Sequence, residues 1–94
     1  MRQDERQALR KIKRWAQINA FSYSQHAFEI MVSECVYEED VKRALTTARL
    51  LETRDNGARG TAYILAGFGM NEDTLVLVCR ILRQKVMVED FYWD

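Results

Sequence analysis

The sequence predicts an α+β domain with N-terminal helices packed on one face of a three- to four-stranded antiparallel sheet, in the order α-α-α-β-β-β-β. Up to about Ala48, apolar residues recur at helical spacing. From Arg49 onward the apolar residues fall into short strand-like runs, and the longest of these, TLVLVCRIL, is nearly continuous. Short turn signals such as Asp55-Asn56-Gly57 divide the runs, as in a meander. The chain of 94 residues holds one core. It is read as a single domain over 1–94, with a basic amphipathic helix in 1–20 and an α+β core in 21–94.

The first helix is expected from about Asp4 to Ile18. Ala8, Leu9, Ile12, Trp15 and Ala16 share one stripe, while Arg6, Arg10, Lys13 and Arg14 lie opposite. A break follows at Asn19 to Ser22. Ser22 with Gln25 fits a capping box, and Ser24 is a second candidate cap. A short helix from about Tyr23 to Ser33 is expected to bury Ala27, Ile30 and Met31. The next, about Glu38 to Ala48, sets Val41, Ala44, Leu45 and Ala48 on one face. Glu38, Glu39 and Asp40 crowd its first turn and complement the helix dipole, a better account of them than catalytic carboxylates. The strands are expected at Arg49–Arg54, Thr61–Phe68, Thr74–Leu82 and Val86–Trp93, with Thr74–Leu82 central.

Composition bounds the function. Hydrophobic residues make up 48% and charged residues 30%, too apolar for a disordered chain. Fourteen Lys and Arg balance fourteen Asp and Glu, which excludes a uniformly basic nucleic-acid binder but not a local patch. Residues 1–20 carry six basic and two acidic groups (+4), residues 21–47 two and five (−3), and residues 48–94 six and seven (−1). A cationic arm therefore sits on a mildly acidic body. No apolar run approaches the ~20 residues of a membrane span, and the N-terminus lacks the apolar stretch of a signal peptide. The expectation is a cytoplasmic domain without membrane contact. Two Cys and one His fall short of the roughly four ligands of a structural zinc site. Cys35 and Cys79 are read as two buried thiols, and no metal or cofactor is expected.

One constellation carries chemistry. His26, the chain's single histidine, borders the apolar stripe of its helix, and imidazole passes protons in either direction near neutral pH. An RNA-cleaving site that uses the 2′-hydroxyl as nucleophile needs such a group, a second acid or base, and a cation on the phosphate. Arg80, Arg59, Tyr63 and Tyr92 are the candidates for those roles. Arg80 interrupts an apolar strand, where a charge is costly unless it is paired or faces a cleft. The structural alternative is that His26 satisfies local hydrogen bonds and that Arg80 pairs with Glu89 across the hairpin. Phe91 and Trp93, on alternating faces of the last strand, are read as core and edge cover ahead of base-stacking platforms. There is no Gly-rich phosphate loop, and no nucleophilic triad forms around one histidine.

The stretch YSQHAFEIMVSECVYEEDVKRAL resembles the family called domain of unknown function 4258. Its members open with a Ser-x-His-Ala helix followed by Met, then a break and a Glu-Asp-Val helix start. Here those are Ser24, His26, Ala27, Met31 and Glu39-Asp40-Val41. The resemblance spans about Tyr23 to Trp93. It implies a distant similarity to small bacterial toxins of the RelE and BrnT kind, which cut RNA without a metal and are paired with an antitoxin protein. Carried over, Ser24, His26 and Met31 are motif residues, and Arg80 is the strand cation. Two family arginines are absent, their positions holding Ile30 and Glu34, and Tyr37 stands where a capping Ser is usual.

The reading that follows is a toxin-like RNA-cleaving domain. His26, Arg80 and Tyr63 are its catalytic candidates, and Arg6, Arg10, Lys13, Arg14 and Arg59 its RNA-binding candidates. The alternative is a non-catalytic interaction domain that binds a partner or a second copy, as a homodimer, through its first helix or an edge strand.

Overall fold

A computed structural model describes residues 2–94. Three helices are followed by a meander of strands, as expected, but the sheet is larger and mixed. The elements are α1 (Gln3–Gln17), β1 (Phe21–Tyr23), α2 (Gln25–Ser33), α3 (Glu38–Thr46), β2 (Arg49–Asp55), β3 (Thr61–Phe68), β4 (Thr74–Leu82) and β5 (Lys85–Trp93). A single 3-10 turn, Gly57–Arg59, joins β2 to β3. The strand order is β1-β5-β4-β3-β2, so the apolar run of β4 is indeed central. β2 to β5 form the antiparallel meander, and β1 adds a short parallel edge, pairing Phe21, Ser22 and Tyr23 with Val86, Met87 and Val88. Where a break was expected there is thus a fifth strand. Three residues are too few to display a period, and their partners lie more than sixty residues away.

Two helices end in a left-handed residue, the first of them leading into β1. Asn19 adopts φ +61 just beyond α1, and the Ala20 N–H bonds back to the Trp15 carbonyl at 2.7 Å. This six-to-one closure needs a left-handed residue, which asparagine tolerates. Cys35 does the same after α2 at φ +53, with the Val36 N–H on the Met31 carbonyl at 3.1 Å. The left-handed turn throws the Cys35 side chain into solvent, which corrects the expectation of two buried thiols. Cys79 is buried on the helix side of β4, and that burial pushes its thiol pKa up and keeps it protonated.

All three helices cover one face of the sheet. Ala8, Ile12 and Ala16 of α1 are buried together with Ala27, Val41, Ala44 and Leu45 against Leu65, Leu77, Cys79, Val88 and Phe91. Ile30 and Met31 are only half-buried at the rim of this core. The apolar stripe of α1 is therefore largely spent inside its own domain. Asp40 is the one buried charged residue among those described. Its two carboxylate oxygens accept the Tyr37 N–H at 3.1 Å and the Met70 N–H at 2.8 Å, tying the start of α3 to the β3–β4 turn. It caps and bridges, in line with the structural account of the acidic first turn.

Among the described residues, no helix lies on the opposite face of the sheet. Ile64, Ala66 and Val76 form a second, smaller apolar cluster there, with Val78 beside it.

Candidate functional site

The site is built on an irregularity in β5. Val78 pairs with Asp90, but the next residue, Cys79, pairs with Val88, so Glu89 is an extra residue opposite that step. Val88 and Phe91 are three apart and both buried in the helix-side core. Strict alternation would place them on opposite faces, so the two residues between them, Glu89 and Asp90, turn together toward the bare face. A β-bulge thus sets two carboxylates side by side at the edge of the sheet.

Basic side chains from three other elements meet them. Arg80 Nε, on β4, stands 3.1 Å from Glu89 Oε2, off the hydrogen-bonding line, and its Nη1 donates to the Arg59 carbonyl at 3.2 Å. That second bond anchors the 3-10 turn, whose Arg59 guanidinium reaches Glu89 Oε2 at 3.7 Å. From α2, His26 Nε2 comes within 3.3 Å of Asp90 Oδ1. Asp90 Oδ1 also accepts the N–H of Phe91 at 2.9 Å, which fixes the carboxylate. Arg80 and Glu89 are about three-quarters covered, whereas His26 and Arg59 remain largely open to solvent. The pairing of Arg80 with Glu89 expected as the structural alternative is therefore real. It coexists with the approach of His26, so the two readings describe one patch.

Ser24 holds His26 in place. It is the N-cap of α2, its Oγ accepting the Ala27 N–H at 3.0 Å. The same hydroxyl donates to the Glu89 carbonyl at 2.9 Å, and the Ser24 N–H bonds to the Val88 carbonyl at 2.9 Å. One residue thus starts the helix and stitches it to the bulged strand, two positions before the histidine. Ser22, the other candidate cap, instead sits in β1 with its hydroxyl on the Met87 sulfur. Met31, the second motif residue, packs at the rim of the helix-side core and supports α2 from below.

The remaining candidates lie elsewhere. Tyr63 faces the helices, across the sheet from Arg80, beside a hollow of about 280 Å³ shared with Asp4, Glu5 and Asp55. Burial, then the charges of Asp4 and Glu5, raise its phenol pKa, so it stays protonated. Arg6, Arg10, Lys13 and Arg14 line the solvent side of α1, also on the helix-bearing side. The structure brings together His26, Arg80 and Arg59, and leaves Tyr63 and the α1 cations apart from them.

Phe91 and Trp93 prove to share one face, Phe91 in the core and Trp93 at its rim, because residues two apart on a regular strand point the same way. It is Tyr92 that points outward, on the bare face. Sequence reasoning missed the role of Asp90. The signal was present in VMVEDFYW, where two successive acids break the alternation of an otherwise apolar strand.

Among the described residues no group of three metal-ligating side chains converges, and no helix is long and apolar enough to cross a membrane. No curated protein and no solved structure matches the chain. A family model does, over residues 23–90, which takes in His26, Arg59, Arg80, Glu89 and Asp90 but not α1. With nearly three-quarters of its length matched, the chain belongs to the family described as domain of unknown function (DUF4258).

Proposed function

We propose that this chain is a toxin-like, metal-independent RNA-cleaving domain, with His26 as its proton-transfer group. The observation that supports the reading is the convergence of His26, Arg80 and Arg59 on the two carboxylates of the β5 bulge. His26 Nε2 faces Asp90 Oδ1 at 3.3 Å without closing a hydrogen bond, and in this reading Nδ1, the other ring nitrogen, is the base. Nδ1 takes the proton of a ribose 2′-hydroxyl, the 2′ oxygen bonds to phosphorus, and the bond to the 5′ oxygen breaks. The leaving oxygen takes a proton from solvent or from the imidazolium just formed. Arg80 and Arg59 offset the charge that develops on the phosphoryl oxygens.

Glu89 is shared by both arginines while no substrate is bound, so one positive charge of the pair is left over. Arg59 is long and largely exposed, so it turns from the carboxylate to a phosphodiester at small cost. Arg6, Arg10, Lys13 and Arg14 serve this reading as a long-range attraction for RNA, because their helix lies on the other side of the sheet. A cognate antitoxin protein is the partner that goes with it.

The chain, purified free of any partner and mixed with single-stranded RNA at low salt, is expected to release fragments ending in a 2′,3′-cyclic phosphate and a 5′-hydroxyl. End-group analysis checks this. Fragments with 3′-hydroxyl and 5′-phosphate ends contradict the chemistry. A second reading, a non-catalytic homodimer, draws on β2, an outer strand whose Leu51 is 48% exposed. Absence of any cleavage together with a dimer in sedimentation would favour it.

A further inference from the structure

The bare face of the sheet has a particular surface. Cross-strand pairing lays out its rows: Tyr92, Val76, Ala66 and Arg49 in one, Asp90, Val78, Ile64 and Glu52 in the next, and Arg80, Ala62 and Arg54 in the third. Phe68, paired with Thr74, stands at the far end. The apolar floor is already closed, with Ile64 at 7%, Ala66 at 4% and Val76 at 4% exposure. What remains open are two separate aromatic rings, Tyr92 at 56% and Phe68 at 42%.

A protein partner gains most from a continuous apolar patch, and this face has little left to bury. Isolated flat rings, one of them beside the Arg49 guanidinium, suit a different occupant. Bases of a single strand stack on aromatic faces regardless of sequence, while cations hold the backbone. The face carries Arg49, Arg54, Arg59 and Arg80, of which Arg54 pairs with Glu52 and both Arg59 and Arg80 reach Glu89. Arg49 takes part in no ion pair among the described residues. It borders one hollow of about 160 Å³ with Phe68, Ala66 and Thr74. The strand geometry sets the spacing. Tyr92 lies two residues beyond Asp90, ~7 Å along β5, and Phe68 roughly 12 Å further across two strands.

We propose that the bare sheet face is a stacking platform for single-stranded RNA. One base lies on Tyr92 beside the His26–Asp90 pair, a second lies on Phe68, and Arg49 holds the backbone near the latter. This inference rests on the RNA-cleaving reading for the identity of the ligand, but not on cleavage taking place. Double-stranded RNA, whose bases are stacked on each other, gains nothing from the rings.

The test is fluorescence-polarisation binding of a single-stranded 2′-O-methyl RNA octamer, in which the blocked 2′ oxygen removes the nucleophile. The wild-type chain is expected to bind the octamer in a salt-sensitive way and to bind a hairpin of the same composition more weakly. Tyr92→Ala and Phe68→Ala are each expected to weaken octamer binding about ten-fold, the scale of one lost base stack. Tyr92→Phe keeps the ring and is expected to bind as the wild type does, so loss in Tyr92→Ala with rescue in Tyr92→Phe reports stacking rather than folding. Equal binding of octamer and hairpin, unchanged affinity in both alanine variants, or no binding at all would overturn the platform. Octamer binding with these losses, in a chain that cuts no RNA, would overturn the cleavage reading and leave the platform standing.

Discussion

Replacing His26 with alanine is expected to slow RNA cleavage by a factor of roughly 10² to 10⁴, the usual contribution of a positioned general acid or base. The size of the effect follows from its being the only histidine in the chain. No second imidazole can take over, and Tyr63 faces the other side of the sheet with its pKa raised. The fold should survive the change. The His26 side chain is 65% exposed, touches the body through Asp90, and occupies the first turn of a helix in which alanine is favourable. Equal melting temperatures with a collapsed rate are the expected pair of results, read by thermal unfolding and a gel-based cleavage assay. Asp90→Asn should cost less, because it loosens the imidazole without removing it. A His26→Ala protein that cleaves at the wild-type rate would remove this residue from the chemistry.

Gly67→Ala is expected to cost about 3 kcal/mol or more of stability, at the upper end of what overpacking does. Gly67 lies on the helix side of β3, directly under α3. A Cβ there would overlap the backbone of Ala44, its carbonyl oxygen first. The obstacle is main chain, so no rotamer change relieves it, and α3 must lift from the sheet. That movement would also strain the Asp40 bridge, since the Asp40 carboxylate spans from the helix start to Met70. For a domain of this size the loss corresponds to a fall in Tm of roughly 12 to 24 °C. Thermal unfolding by circular dichroism measures it. A shift of only a few degrees would mean that α3 has room to move.

The parts of this fold that were legible in the sequence are those in which one residue type repeats at one period. Val41, Ala44 and Leu45 share a face of α3, which ends at Thr46 rather than Ala48, and all three are buried, as is Ala48 just beyond it. The apolar run Thr74–Leu82 could belong only to a central strand, and it does. β1 was not legible because its hydrogen bonds come from residues 86–88 rather than from any local pattern. The exposed position of Cys35 depends on a left-handed helix stop that no glycine or asparagine announced. The mixed sheet follows from β1 alone.

The candidate site was half visible. His26 is distinctive as a lone imidazole and Arg80 as a charge inside an apolar strand, and each drew notice by being out of place. Their meeting depends on a bulge that turns Glu89 and Asp90 to one side, a register effect spread over two strands. Tyr63 shows the converse. It is one position along β3 from Ala62, the cross-strand partner of Arg80, and that single step puts it on the other face. The cations of α1 were rightly placed on the solvent side of their helix, but sequence could not say which side of the sheet the helix would cover.

The central claim is that one patch, His26 with Asp90 and Arg80 with Arg59, receives an RNA phosphodiester. A nuclear magnetic resonance titration tests it most directly, following the His26 ring nitrogens and the arginine Nε–H signals as a non-cleavable 2′-O-methyl dinucleotide is added at low salt. The account predicts saturable, salt-sensitive shifts of His26, Arg80 and Arg59 together, with Arg6, Arg10 and Arg14 little changed. Shifts confined to the α1 arginines, or none at His26 and Arg80, would contradict it.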